Sequence, residues 1–160
     1  MAATIQIHEM TTATAGVDRS AETVRFRATD SQAVDANNPL VIPVSGNAYS
    51  YTKKLRAFML AKPVTSVCNL RWYSDGGNAF GTVVTVYVKN IGTTFGTQYT
   101  TAMTGGASFT NYTAAAPLDG DATDTGPFGT DREGSYIGDI IELQFWVSSA
   151  AEEMSLDAQT

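Results

Sequence analysis

The densest cluster of groups that could do chemistry lies between residues 119 and 133. Asp119, Asp121, Asp124, Asp131 and Glu133 are interleaved there with glycine and threonine. Carboxylate oxygens are hard ligands of the kind calcium takes, which makes Asp119, Asp121 and Asp124 weak candidates for a metal site. The spacing departs from the helix–loop–helix calcium loop. Counting from Asp119, Thr123 stands where that loop wants an acid or amide, and Thr130 stands where it needs a glutamate. The expectation is therefore a solvated acidic loop over 114–134, with no metal and no cofactor. A loop of this length in a compact domain is often functional.

Other constellations are thinner. Gly76, Gly77 and Gly81 resemble a phosphate cradle in composition, but they lie between two strand-like segments. A cradle needs the N-terminus of a following helix, so a turn is the better reading. Cys68 is the one cysteine, which excludes an intrachain disulfide, and alternation places it on the face of Leu70 and Trp72 as a buried, inert thiol. The one histidine, His8, sits near the N-terminus. Asp139 and Glu142 fall on a late strand, and Glu142 shares a face with Trp146. An aromatic beside a carboxylate can bind a sugar ring, yet is more often a surface pair. No serine has the strand-turn-helix setting of an activated nucleophile. The residues point away from an enzyme.

The elements that would position these groups are strands. In 68–73, Cys68, Leu70 and Trp72 alternate with Asn69, Arg71 and Tyr73, and in 83–88 Val84, Val86 and Val88 alternate with Val83, Thr85 and Tyr87. Successive side chains of a strand leave opposite faces, so this is the pattern of half-buried strands. With SDGGN at 74–78 between them, residues 69–88 read as a hairpin. Residues 49–60 form the longest candidate, with the apolar set changing face near Ala57, a sign of a bulge. Ile141, Leu143, Phe145 and Val147 mark the clearest late strand. Residues 24–28 alternate and read as a strand; weaker candidates are 99–103, 108–113 and a short strand at Met154 and Leu156, while Pro43 makes 40–44 an edge strand or an extended connection. Residues 1–21 show little periodicity and read as an extended arm or as a short strand at 5–9 followed by a loop. About eight strands with no amphipathic helix predict an all-β chain, an antiparallel β-sandwich or jelly roll, with an arm at 1–21 and one domain at 22–160.

At 160 residues one domain can bury about two-thirds of its unfolded surface. Charged residues are 16% of the chain, below the usual value of about 25%. The net charge of −6 argues against nucleic acid or an anionic membrane, because phosphate binding needs clustered cations. Lys53, Lys54 and Arg56 form the one dense basic group and read as a solvated strand edge. Residues 1–7 lack a basic region followed by an apolar run, so no secretory signal is expected, and no apolar run nears the roughly 20 residues of a membrane helix. Synthesis in a cytoplasm is the expectation.

Three runs carry a resemblance. LRWYSDG at 70–76, FGTVVTVYV at 80–88 and GDIIELQF at 138–145 resemble capsid decoration (cement) proteins of tailed bacteriophages, small virion proteins with a jelly-roll or β-tulip core. The resemblance implies a homotrimer on the outer surface of the phage head, bound to the major capsid protein. It also implies an N-terminal arm that reaches a neighbouring subunit. Candidate partner contacts are then Ile5 and Ile7 in the arm, and Tyr73, Tyr87 and Trp146 on faces opposite the apolar stripes. The alternative is a carbohydrate-binding jelly roll or another tail or fibre virion protein, using Trp72, Trp146, Tyr73 and Tyr87.

Overall fold

The structure is a computed structural model that describes residues 2–21, 24, 26–29, 40–61, 66–75, 83–99 and 101–151. Its centre is the longest described strand, which is β9 in chain order (Ser135–Ser148). On one side β9 pairs with β4 (Lys53–Ala61) and then with β3 (Asn47–Tyr49); on the other it pairs with β6 (Val84–Asn90). β1 (Thr4–Met10) adds to the free edge of β4, β2 (Gly16–Asp18) adds to β1, and β7 (Ala107–Ser108) adds to β6. All pairings are antiparallel, giving a seven-stranded sheet. A separate two-stranded sheet joins β5 (Arg71–Trp72) to β8 (Leu118–Asp119). The chain is all-β, with 3₁₀ turns at Phe109–Asn111 and Thr130–Arg132.

The alternation in β4, β6 and β9 makes one face of the large sheet apolar. Leu55, Ala57, Met59, Val84, Val88, Ile137, Ile141, Leu143, Phe145 and Val147 are buried on it. Phe26, Trp72, Leu118, Phe128 and Leu70 cover that face from the small sheet and the connecting segments. The central strand is thus buried against side chains of high β propensity.

Several elements differ from the sequence expectation. Residues 4–18 lie in the sheet as the β1–β2 hairpin and not as a free arm, and the alternative of a strand near 5–9 is the one observed. Ile5 and Ile7 turn toward the core. The two arms of the expected hairpin at 69–88 do not pair with each other. β5 pairs with β8, and β6 pairs with β9 and β7; residues 76–82 lie outside the described residues. Strand pairing is a non-local choice, and β9 offers β6 a longer apolar partner. Cys68 is exposed, not buried, because Asn69 takes a left-handed conformation (φ 57°) that breaks the alternation before Leu70. The described residues of 24–28 form no strand, although Phe26 packs on Phe145 with ring centroids 4.2 Å apart. Residues 40–44 form no strand and connect to a bend at 44–46, and 108–113 is shared between β7 and a 3₁₀ turn. The described part of 99–103 is not a strand, and Met154 and Leu156 lie outside the described residues.

The irregularity expected near Ala57 exists, but the extra residues belong to β9. Leu55 pairs with Ile141 and Ala57 with Ile137, so Arg56 alone faces Gly138, Asp139 and Ile140. Gly138 permits this bulge with φ at +67°. A Cβ on Gly138 would lie 2.5 Å from both the Gly120 carbonyl oxygen and Leu70 Cδ1. Gly134 has a similar φ of +71° with nothing within 4 Å. Both Gly138→Ala and Gly134→Ala should therefore suffer the left-handed penalty of about 1–2 kcal/mol. Gly138→Ala should lose distinctly more in urea unfolding. Equal losses would mean that the small sheet does not press on the bulge.

Candidate functional site

The acidic segment and the bulge meet. Asp139 is 1% exposed, and its carboxylate accepts hydrogen bonds from Asn90 Nδ2, Thr123 N and Asp124 N, each at 2.8 Å. Asn90 Nδ2 also donates to the Asp119 carbonyl oxygen at 2.7 Å, and Asn90 Oδ1 accepts from Gly92 N at 2.7 Å. The amides of Asp139 and Ile140, released from the ladder, donate to the carbonyls of Gly120 and Gly92. One buried carboxylate therefore gathers β6, β9 and the segment 119–124. Satisfying a buried charge with three donors is the condition for burying it at all.

Arginines close the remaining positions. Arg56 Nε donates to the Gly138 carbonyl at 2.8 Å and its terminal nitrogen to Asp124 at 3.2 Å. Arg132 donates to the same Asp124 oxygen at 2.7 Å and to the Tyr136 carbonyl at 2.8 Å. Burial pushes the Arg56 guanidinium below its ordinary value while Asp124 opposes the shift, and the group stays a cation. Arg71 binds Asp119 and Asp121 through one nitrogen. Burial alone would raise the Asp121 carboxyl. Hydrogen bonds from Arg71 and from the Leu70 amide, with the neighbouring Asp119, outweigh it and hold Asp121 below the usual aspartate value. Asp119, Asp121 and Asp124 thus face guanidinium groups where a metal site would need them to converge on one point. Among the described residues no three His, Cys, Asp or Glu side chains are grouped to hold a metal ion.

The basic group expected at a strand edge is in the interior instead. Lys53, Lys54 and Arg56 are buried because β4 has a partner strand on each side. Lys53 and Arg19 both pair with Glu9, at 2.9 and 3.2 Å. Lys54 and Lys89 both pair with Glu142, each at 3.1 Å. Lys54 Nζ also donates to the Thr97 carbonyl at 2.9 Å and lies 4.5 Å above the Phe95 ring. These cations are not presented to a polyanion.

The aromatic candidates divide. Tyr73 is 53% exposed. Tyr87 and Trp146 are half-buried and stacked, with centroids 3.9 Å apart, and Tyr49 meets Trp146 edge-on at 5.0 Å. Trp146 Nε1 donates to Gln144 Oε1 at 2.8 Å. His8 is bonded to Gln6 and Tyr136, and Cys68 has Asn69 as its side-chain neighbour, so they form no thiol–imidazole pair. An open groove of about 570 Å³ is lined by Asn90, Gly92, Thr94, Leu118, Asp119 and Thr123. Its walls offer hydroxyls, amides and the Asp119 carboxylate, which is paired with Arg71. No described helix is long and apolar enough to cross a membrane.

Sequence reasoning found Asp119, Asp121 and Asp124 but missed Arg132 and Asn90 as their partners; it placed Asp139 on the late strand without a role, and it read Glu142, which is 1% exposed, as half of a surface pair with Trp146. The available signal was the glycine before Asp139, which interrupts an alternating strand where bulges form.

Asp139→Ala should lower unfolding free energy by at least about 3 kcal/mol, since three donors lose a charged acceptor worth about 1.5–3 kcal/mol each before relaxation. Amide exchange at 119–124 should rise more than in β9. Asp139→Asn should lose less. A change under about 1 kcal/mol for the alanine variant would remove Asp139 as the organising group.

No family model matches the chain, no curated protein matches it, and no solved structure matches its fold.

Proposed function

We propose that this chain is a virion structural protein, a capsid decoration protein that binds the outer surface of a tailed-phage head and stabilises it, as a homotrimer. The observation that carries this reading is the resemblance of the runs at 70–76, 80–88 and 138–145 to decoration proteins. The all-β architecture agrees with it. The described ionisable groups also fit a structural role, since Glu9, Glu142 and Asp124 each hold two cations inside the fold. In this reading the protein is not an enzyme and takes no cofactor. Its partners are the major capsid protein and two further copies of itself, and neither nucleic acid nor membrane.

The jelly-roll or β-tulip form belongs to the same proposal. The seven-stranded sheet would be one layer, and the small sheet with its flanking segments would be the other. Contacts with the shell and between subunits would come from exposed apolar side chains such as Val17, Val44, Leu60 and Tyr73. Many copies spanning capsomer boundaries would sum individually small free energies against internal pressure.

Mixing the folded protein with mature, undecorated heads should give saturable co-sedimentation and heads that rupture at higher temperature. Folded protein that fails to sediment with them would end the decoration reading. Light scattering should give three times the chain mass; a monomer at working concentration would end the trimer.

A carbohydrate-binding module is the second reading, favoured by the Tyr49, Trp146 and Tyr87 cluster. It requires glycan-dependent quenching of tryptophan fluorescence that Trp146→Ala abolishes.

A further inference from the structure

We propose that the β1–β2 hairpin is a proton-operated edge of the sheet, held closed by neutral His8 and loosened when His8 takes up a proton. The device is independent of the capsid role. His8 is 9% exposed. It lies on Phe58 with centroids 4.6 Å apart and 13° between planes, and Tyr136 meets it edge-on at 5.5 Å.

The surrounding hydrogen bonds fix which nitrogen carries the proton. Gln6 Nε2 donates to the Asp18 carboxylate at 2.6 Å, which orients the Gln6 amide. Gln6 Oε1 can then only accept, so His8 Nε2, 3.1 Å away, bears the hydrogen. A neutral imidazole has one N–H, which leaves Nδ1 bare to accept from the Tyr136 hydroxyl at 3.1 Å. Tyr136 belongs to β9, on the far side of β4. One hydroxyl therefore ties the edge hairpin to the central strand. β2 closes on the same point: a Cβ on Gly16 would lie 3.0 Å from the Tyr136 oxygen and 3.1 Å from His8 Cβ.

Protonation at Nδ1 sets a second hydrogen against the one Tyr136 donates. The hydroxyl must turn so that its oxygen accepts from Nδ1–H, which leaves its own hydrogen without the acceptor it had. It cannot yield its proton instead, because burial raises the Tyr136 phenol above its ordinary value. The charged groups around the ring give limited relief. Asp18 of β2 attracts an imidazolium, yet already accepts from Gln6 and from Ser20 N and Oγ. Arg56 of β4 is the register partner of His8 and repels it, tempered by Asp124. Glu9, next in β1, is occupied by Lys53 and Arg19. Burial pushes the His8 ring down and Asp18 pulls it up, leaving it below the ordinary histidine value. A folded-state value below the unfolded one means that the full stability is present above the ordinary histidine range. It is lost as pH falls from there through the folded-state value.

The test is hydrogen exchange read as protection factors, which removes the intrinsic pH dependence of exchange, at pH 7.5 and 5.5. Protection of residues 4–18 should fall about twofold or more at the lower pH, while 141–147 holds. His8→Gln should show no such difference. Unchanged protection of 4–18 in the wild type, or the same fall in His8→Gln, would overturn the proposal. Should His8→Gln not fold, ¹⁵N NMR of the wild-type ring decides. A neutral Nε2–H tautomer titrating below the ordinary histidine value supports the device, and titration at or above it overturns it.

Discussion

The structure hangs on a mismatch in residue count: one residue of β4, Arg56, faces three of β9. Without those extra residues the ladder would run unbroken past Gly138, and β9 would have no amides to spare. With them, the Asp139 and Ile140 amides turn out to Gly120 and Gly92, and the small sheet gains an anchor on the large one. Arg56 fills the space opposite and bonds the Gly138 carbonyl. The bulge is therefore the joint at which the small sheet attaches to the large one.

The interior charges follow a common plan. Three carboxylates each accept two cations, and each trio joins different elements. Glu9 links β1 to β4, Glu142 links β9 to β4 and β6, and Asp124 links the acidic segment to β4 and to the 3₁₀ turn after Gly129. Desolvating such groups offsets most of their attraction, so they add little stability over well-packed apolar residues. Their effect is on pairing. A strand shifted by one residue would turn its charge to the other face and leave a buried ion alone.

The legible part of the fold was local. Ile141, Leu143, Phe145 and Val147 announced β9, and Val84 and Val88 announced β6, because alternation is written into neighbouring residues. Partners were not legible, since the turn at 74–78 argued for a hairpin while the apolar match between β6 and β9 decided the pairing. Charge misled at Lys53 and Lys54, where the sequence cannot show that strands flank β4 on both sides. Asn69 misled at Cys68, since one left-handed residue resets the face count. Of the site, the aspartates were visible. Their arginine partners were not, because Arg56, Arg71 and Arg132 come from three separate parts of the chain.

Drawing cations inward has an effect on the exterior. The chain carries −6 overall, yet of its described lysines and arginines all but Arg71 are buried or half-buried. Among the described residues the exposed charged side chains are thus mostly carboxylates, Asp18, Asp75, Asp119, Asp131 and Glu133 against Arg71. Two copies approaching each other experience mutual repulsion that extends about 8 Å at physiological ionic strength. Close packing of this molecule on any surface is then governed by counter-ions: salt that would weaken an ordinary polar contact lets neighbours of this kind crowd together.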